Sequence, residues 1–84
     1  MPIQVRDEND IKAGEIYEDS YFHPCLCTSV VEGEVRGISL VDGTYPRCED
    51  ATMVRKLTID EAFQWKLYGP EDEDLGAEFR WWDK

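Results

Sequence analysis

Positive charge is what this chain has least of. Its 84 residues carry nine Lys and Arg against nineteen Asp and Glu, a formal net charge of −10. That deficit argues against nucleic acid and anionic membrane as partners, since both repel a polyanion. Long apolar runs are also missing: none approaches the roughly 20 residues that span a bilayer. The start, Met1-Pro2-Ile3-Gln4-Val5-Arg6, leads into charged residues rather than into the apolar stretch of a secretory signal. Cysteine is sparse and odd in number, with only Cys25, Cys27 and Cys48. Three thiols do not pair off into a disulfide scaffold, and a reducing cytoplasm is the expected compartment. Glycine is scattered: Gly33, Gly37 and Gly43 stand alone and match neither the P-loop nor the dinucleotide fingerprint. No cofactor is expected.

Aromatic residues, by contrast, are plentiful. Three Trp, four Tyr and three Phe can each bury about 150–250 Å². That is enough apolar stock for a folded chain, and the length suits one domain over 1–84 with one core. Two segments lie outside this expectation. Residues 1–10, with Arg6-Asp7-Glu8-Asn9-Asp10, and 70–84, with Glu71-Asp72-Glu73-Asp74, are solvated flanks or docking segments.

Between these flanks the pattern is mostly β. Ile3 to Val5 reads as a short edge strand, and Gly14 as a turn before a strand through Ile16 and Tyr17. Pro24 to Val31 is rich in β-branched residues and cysteine, which suits a half-buried strand opened by its proline. Glu32-Gly33-Glu34 marks a turn into a strand from Val35 to Val41, where Gly37 signals a bulge or a close backbone approach. Asp42-Gly43 is the dipeptide favoured in two-residue hairpin loops, which would set Val41 against Thr44 and Leu40 against Tyr45. Ala51 to Leu57 is a further strand candidate, and alternation of Ala77, Phe79 and Trp81 suggests another.

One helix is sharply signalled at about 59–68. Thr58 and Glu61 have capping-box spacing, and Gly69-Pro70 forms a stop. Ile59, Ala62, Phe63 and Leu67 form the apolar stripe expected to face the core, with Trp65 and Tyr68 on a neighbouring face.

These elements make an α+β chain: a small, strongly bent antiparallel sheet or a partly open barrel, with one C-terminal helix. Across residues 11–57, the order Lys12-Ala13-Gly14-Glu15-Ile16-Tyr17, loop, then two hairpin-linked strands resembles SH3-like or Tudor-like small barrels. That resemblance implies binding rather than catalysis.

His23, Cys25, Cys27 and Cys48 hold the right atoms for zinc. Their spacing is poor, because residues two apart on a strand lie about 6.6–7 Å from each other. Thiolates sharing one zinc must come within roughly 3.8 Å. The alternatives are thus a zinc-stabilised domain or, as preferred here, Cys25 and Cys27 as small buried hydrophobes. His23 as base for a cysteine nucleophile is weaker still, and no catalytic residue is assigned. The more promising set is aromatic and acidic. Tyr17, Tyr21 and Phe22 precede the cysteine strand, and Asp42, Tyr45 and Arg47 share a second loop. Together the two loops could line a pocket for a cationic side chain through cation–π contacts. Trp82 and the run Glu71, Asp72, Glu73, Asp74 complete the candidate partner-binding residues. The expected function is a non-enzymatic acidic module of inhibitor, immunity or nucleic-acid-mimic type. Carboxylates would steer a basic protein partner, and exposed aromatics would hold it. The remaining alternative is a solitary small barrel whose acidity serves solubility only.

Overall fold

A computed structural model describes residues 1–71, 75, 76, 78 and 80–83. Asp72, Glu73 and Asp74 therefore lie outside the described residues, as do Ala77 and Phe79 of the suggested last strand. Six strands and one helix follow in chain order: β1 Ile3–Gln4, β2 Ile16–Glu18, β3 Pro24–Val31, β4 Glu34–Ser39, β5 Glu49–Asp50, β6 Arg55–Leu57 and α1 Ile59–Tyr68. Their spatial order is β1-β6-β2-β3-β4-β5, every neighbouring pair antiparallel. The α+β class stands. The sheet ends at β1 on one side and β5 on the other and does not close into a barrel.

The β3–β4 hairpin is the longest pairing, running from Cys25 opposite Ser39 to Val31 opposite Glu34. Its two loop residues, Glu32 and Gly33, have φ of 51° and 81°, the positive values that a tight loop matching strand twist requires. The register slips between Cys27 and Ser29. The bulge thus falls on β3, while Gly37 on β4 provides the close approach. A Cβ at Gly37 would meet the Leu26 carbonyl oxygen, and the Tyr17 ring at 2.8 Å. The slip follows Cys27, so Cys25 and Cys27 share the core face.

The expected hairpin at Asp42-Gly43 does not form. Strand β4 stops at Ser39; isolated backbone bonds, Ser39 N–H to the Thr44 carbonyl (3.0 Å) and Arg47 N–H to the Gly37 carbonyl (2.8 Å), join it to the returning chain, and ladder pairing resumes where Glu49 and Asp50 meet Val35 and Glu34. The physical reason is local competition by side chains. Asp42 Oδ1 accepts from the Thr44 amide (3.0 Å) and hydroxyl (2.7 Å), and Ser39 Oγ accepts from the Val41 amide (3.1 Å). Amides that a ladder would use are taken by a self-closed loop. Likewise Ala51–Met53 is a 3-10 turn, so the predicted strand there shrinks to β6.

On one sheet face Tyr17, Cys25, Cys27 and Val35 pack with Val5, Ile11, Ala51 and Val54 to form the core. Alternation along the strands puts Ile16, Glu18, Leu26 and Ile38 on the other face, and α1 lies there. The capping box is present: Glu61 N–H donates to Thr58 Oγ1 (3.1 Å), and Thr58 N–H donates to Glu61 Oε1 (2.8 Å). At the other end Gly69, at φ 85°, donates its N–H to the Trp65 carbonyl. The helix ends are where the sequence puts them, but its inward face is not. Ala62 and Trp65 are buried, whereas Ile59, Phe63 and Leu67 are 67%, 61% and 54% exposed. Trp65 decides this. Its indole is 1% exposed and donates Nε1–H to Glu18 Oε2 at 2.6 Å. Trp65 lies about 240° around the helix from Ile59, so seating it on the sheet turns the predicted stripe outward.

Candidate functional site

Two surfaces bear on function. The first is built by the loops that the sequence singles out. Arg47 reaches from the β4–β5 loop into the β2–β3 turn. Its Nη2 donates to His23 Nδ1 at 2.7 Å and lies 3.5 Å from Asp42 Oδ2, while Nη1 lies 3.7 Å from Asp19 Oδ2. The Tyr21 ring centroid is 5.7 Å from the guanidinium carbon. The Arg47 carbonyl accepts from the Tyr17 hydroxyl (2.6 Å), which ties this loop to the core. Asp19, 4% exposed, closes the β2–β3 turn by accepting from the Tyr21 and His23 amides at 3.0 and 2.9 Å. The structure therefore brings together Tyr21, Asp42 and Arg47, but the guanidinium is engaged inward rather than offered to solvent.

Electrostatics around this cluster follow from burial. Desolvation lowers the His23 pKa, and Arg47 adds to the effect while Asp19 and Asp42 oppose it. Accepting from Arg47 leaves Nδ1 unprotonated, so the ring is the neutral Nε2–H tautomer. Asp19 is raised by desolvation, against its amide bonds and the facing Arg47. Desolvation is the largest single influence on Asp42 and raises it, yet bonds from Thr44 and Ser39, together with Arg47, outweigh it and hold the carboxyl down at about 2. Burial first, and Asp19 second, push the Cys25 thiol up. Its Sγ–H donates to the His23 carbonyl at 3.5 Å, so it is a thiol rather than a thiolate. Cys25 and Cys27 are buried and Cys48 is exposed. Among the described residues no three His, Cys, Asp or Glu side chains converge as a metal ion requires.

The other sequence-predicted residues are dispersed. Tyr45 is 60% exposed on the loop beyond Asp42. Glu71 lines a cleft of about 210 Å³ with Asp60, Glu61 and Gln64 on the outer flank of α1. Trp82 is half-buried against Gly69, where any Cβ would strike its ring, and makes an edge contact with Trp81 at 4.9 Å. Trp81 in turn donates its indole N–H to the Trp65 carbonyl at 3.0 Å, and its ring meets His23 edge-on at 4.8 Å. Residues Trp81–Asp83 thus form a 3-10 turn that lies against the end of α1.

The second surface is one that the sequence reading turned inside out. Ile59, Phe63 and Leu67 run along the exposed side of α1, and Tyr68 is 67% exposed beyond them. Between this row and the sheet opens a cleft of about 290 Å³ lined by Ile16, Leu40, Ile59, Ala62, Phe63 and Lys66. A second cleft of about 320 Å³ adjoins it through Ile16 and Ile59, and there Glu15 and Glu61 join the wall. Lys56 is paired with Glu15 at 3.5 Å, and Lys66 Nζ donates to the Val41 carbonyl at 3.4 Å. Asp60, which is exposed, stands beside Ile59. The result is an apolar groove whose end toward the start of α1 is lined by ion pairs, Glu15 with Lys56 and Glu61 with the Met1 amine at 2.8 Å. One signal for it was available in the sequence: Trp65 is larger than any residue of the stripe and lies on a different face.

No protein-family model matches this chain, and no curated protein or solved structure matches it either. Among the described residues no helix is long and apolar enough to cross a membrane.

Proposed function

We propose that this chain is a non-enzymatic acidic protein-interaction module that binds a basic protein surface, of inhibitor, immunity or nucleic-acid-mimic type. The observation that carries the reading is the outward apolar row Ile59-Phe63-Leu67 on a chain of net charge −10. A contiguous apolar surface rimmed by polar groups marks a contact site. Carboxylates add long-range attraction and faster encounter, and apolar anchors supply the short-range affinity. The resemblance of residues 11–57 to SH3-like and Tudor-like domains points the same way, as fold-level analogy. On this reading nucleic acid is not a partner, and the compartment is the cytoplasm, where three free thiols persist.

The test is capture from nuclease-treated native lysate on the tagged chain, followed by titration of the purified partner at rising salt. One stoichiometric basic protein whose affinity falls steadily with salt is the expected result. An affinity that does not change from low to high salt would defeat the electrostatic half of the proposal, and an empty bait would defeat both halves.

A further inference from the structure

We infer that the groove between α1 and β2 seats a basic amphipathic helix of the partner, its apolar ridge against Phe63 and Leu40 and its cations toward Asp60 and Glu71 on the adjoining flank of α1. This rests on the acidic-module reading and names the site and the form of its ligand. Three observations lead to it.

The first is that the cleft beside Phe63, unlike the adjoining one that Ile3 of edge strand β1 lines, offers side chains and no free backbone. Ile16 belongs to β2, which is paired on both sides, with β3 and with β6, and the Leu40 amide already donates to the Pro24 carbonyl at 2.8 Å. An added strand needs an open sheet edge, and this sheet's edges are β1 and β5. Recognition here therefore proceeds by insertion of side chains.

The second is spacing. Ile59, Phe63 and Leu67 sit at i, i+4 and i+8, a ridge about 12 Å long at 1.5 Å per residue. Such a ridge packs against the matching ridge of another helix. Clefts of about 290 and 320 Å³ lie at the small end of ligand-pocket sizes, about 300–1,000 Å³, and are open, which suits anchor side chains.

The third is charge. A second copy of this chain would bring another net charge of −10 to the same face, and its carboxylates would meet their own kind. A cationic helix instead meets a chain with ten carboxylates in excess; beside the groove Glu15 is shared with Lys56 and Glu61 with the Met1 amine, while exposed Asp60 stands with Glu71 on the adjoining flank of α1.

The experiment titrates the full chain, ¹⁵N-labelled, with a synthetic helix carrying Leu at three- and four-residue spacing and Lys elsewhere. A scrambled peptide of the same composition and a Leu/Glu helix serve as comparisons. Expected are amide shifts centred on Ile16, Leu40, Ile59 and Phe63, and no binding of the Leu/Glu helix. Phe63→Ser should weaken binding about tenfold or more, as loss of an anchor does. Phe63 is 61% exposed, so this variant keeps its fold, and Met53→Ser, at an exposed residue that lines neither cleft, should bind like the parent. Equal binding of the scrambled peptide, or indifference to Phe63→Ser, overturns the groove while leaving the acidic-module reading intact. Sedimentation of the free chain as a dimer that Phe63→Ser dissolves would also overturn it, by assigning the face to a second copy. Failure of both Lys peptides to bind even at low salt overturns the groove and the module together.

Discussion

His23 is held neutral by its surroundings. Arg47 Nη2 sits 2.7 Å from Nδ1 and Ser39 Oγ sits 3.0 Å from it, so a second ring proton would face a guanidinium. Asp19 and Asp42 pull the other way, but desolvation and Arg47 prevail and the pKa falls below its ordinary 6.5. The sign for stability follows. A folded-state pKa below the unfolded one means that the unfolded chain binds the proton more readily. Stability is then fully present above about pH 6.5 and is lost as pH falls through the folded-state value. Asp19 moves oppositely, since its raised pKa favours the folded chain on protonation, and it tempers the loss at lower pH. With one histidine in the chain, a proton NMR titration of the ring reads the effect directly. The expected result is a midpoint below 6.5 and a urea midpoint that drops between pH 7 and 5.5. In His23→Gln that drop should vanish. A ring midpoint at or above 6.5 would show that the carboxylates win.

At the scale of elements, Glu18 and the helix cap show where the sequence was readable. Glu18 joins three elements: from β2 it accepts from Arg55 Nε (2.8 Å) and Nη2 (2.9 Å) on β6, and from Trp65 Nε1 (2.6 Å) on α1. It is 6% exposed, and truncation leaves a guanidinium and an indole N–H to find new partners. Glu18→Ala should cost about 3 kcal/mol in urea unfolding, the low end for a broken buried ion pair. Thr58→Ala, which opens the capping box, should cost about 1 kcal/mol. If the two losses were equal, Glu18 would not be the joint described here. The cap was legible because its partners lie three residues apart, within one turn. The joint was not, because Glu18 and Trp65 are brought together only by folding. The same limit explains the helix face. Periodicity reports which residues share a side, and Ile59, Phe63 and Leu67 do share one. Which side turns inward depended on a tryptophan with a buried carboxylate waiting across the sheet. The loop at 40–47 failed for the opposite reason: Asp42-Gly43 did make a turn, with Gly43 at φ 75°, but Ser39 and Asp42 closed it without a ladder. Of the candidate site, Tyr21, Asp42 and Arg47 were legible as a cluster, whereas the groove was hidden by reading the apolar row as core.

For the whole molecule, the same charge should act with opposite sign on folding and on binding. Nineteen carboxylates against nine cations repel one another across a small compact surface, which destabilises the folded state relative to the expanded chain. Added salt screens that repulsion, the screening length falling to about 10 Å at 0.1 M. The internal ion pairs weaken under salt as well, but the partly buried pairs of Arg47 and Arg55 are screened far less than solvent-exposed charges. Net repulsion is therefore the larger salt-sensitive quantity in the free chain, and Tm should rise with added sodium chloride. Binding to a basic partner draws on attraction between the same carboxylates and foreign cations, so its affinity should fall over the same range of salt. Paired measurements, thermal unfolding of the free chain and titration of the complex, test both signs on one preparation. A Tm that falls with salt would mean that favourable internal pairs outweigh self-repulsion. The acidity would then be organised for the fold itself rather than held in excess for a partner.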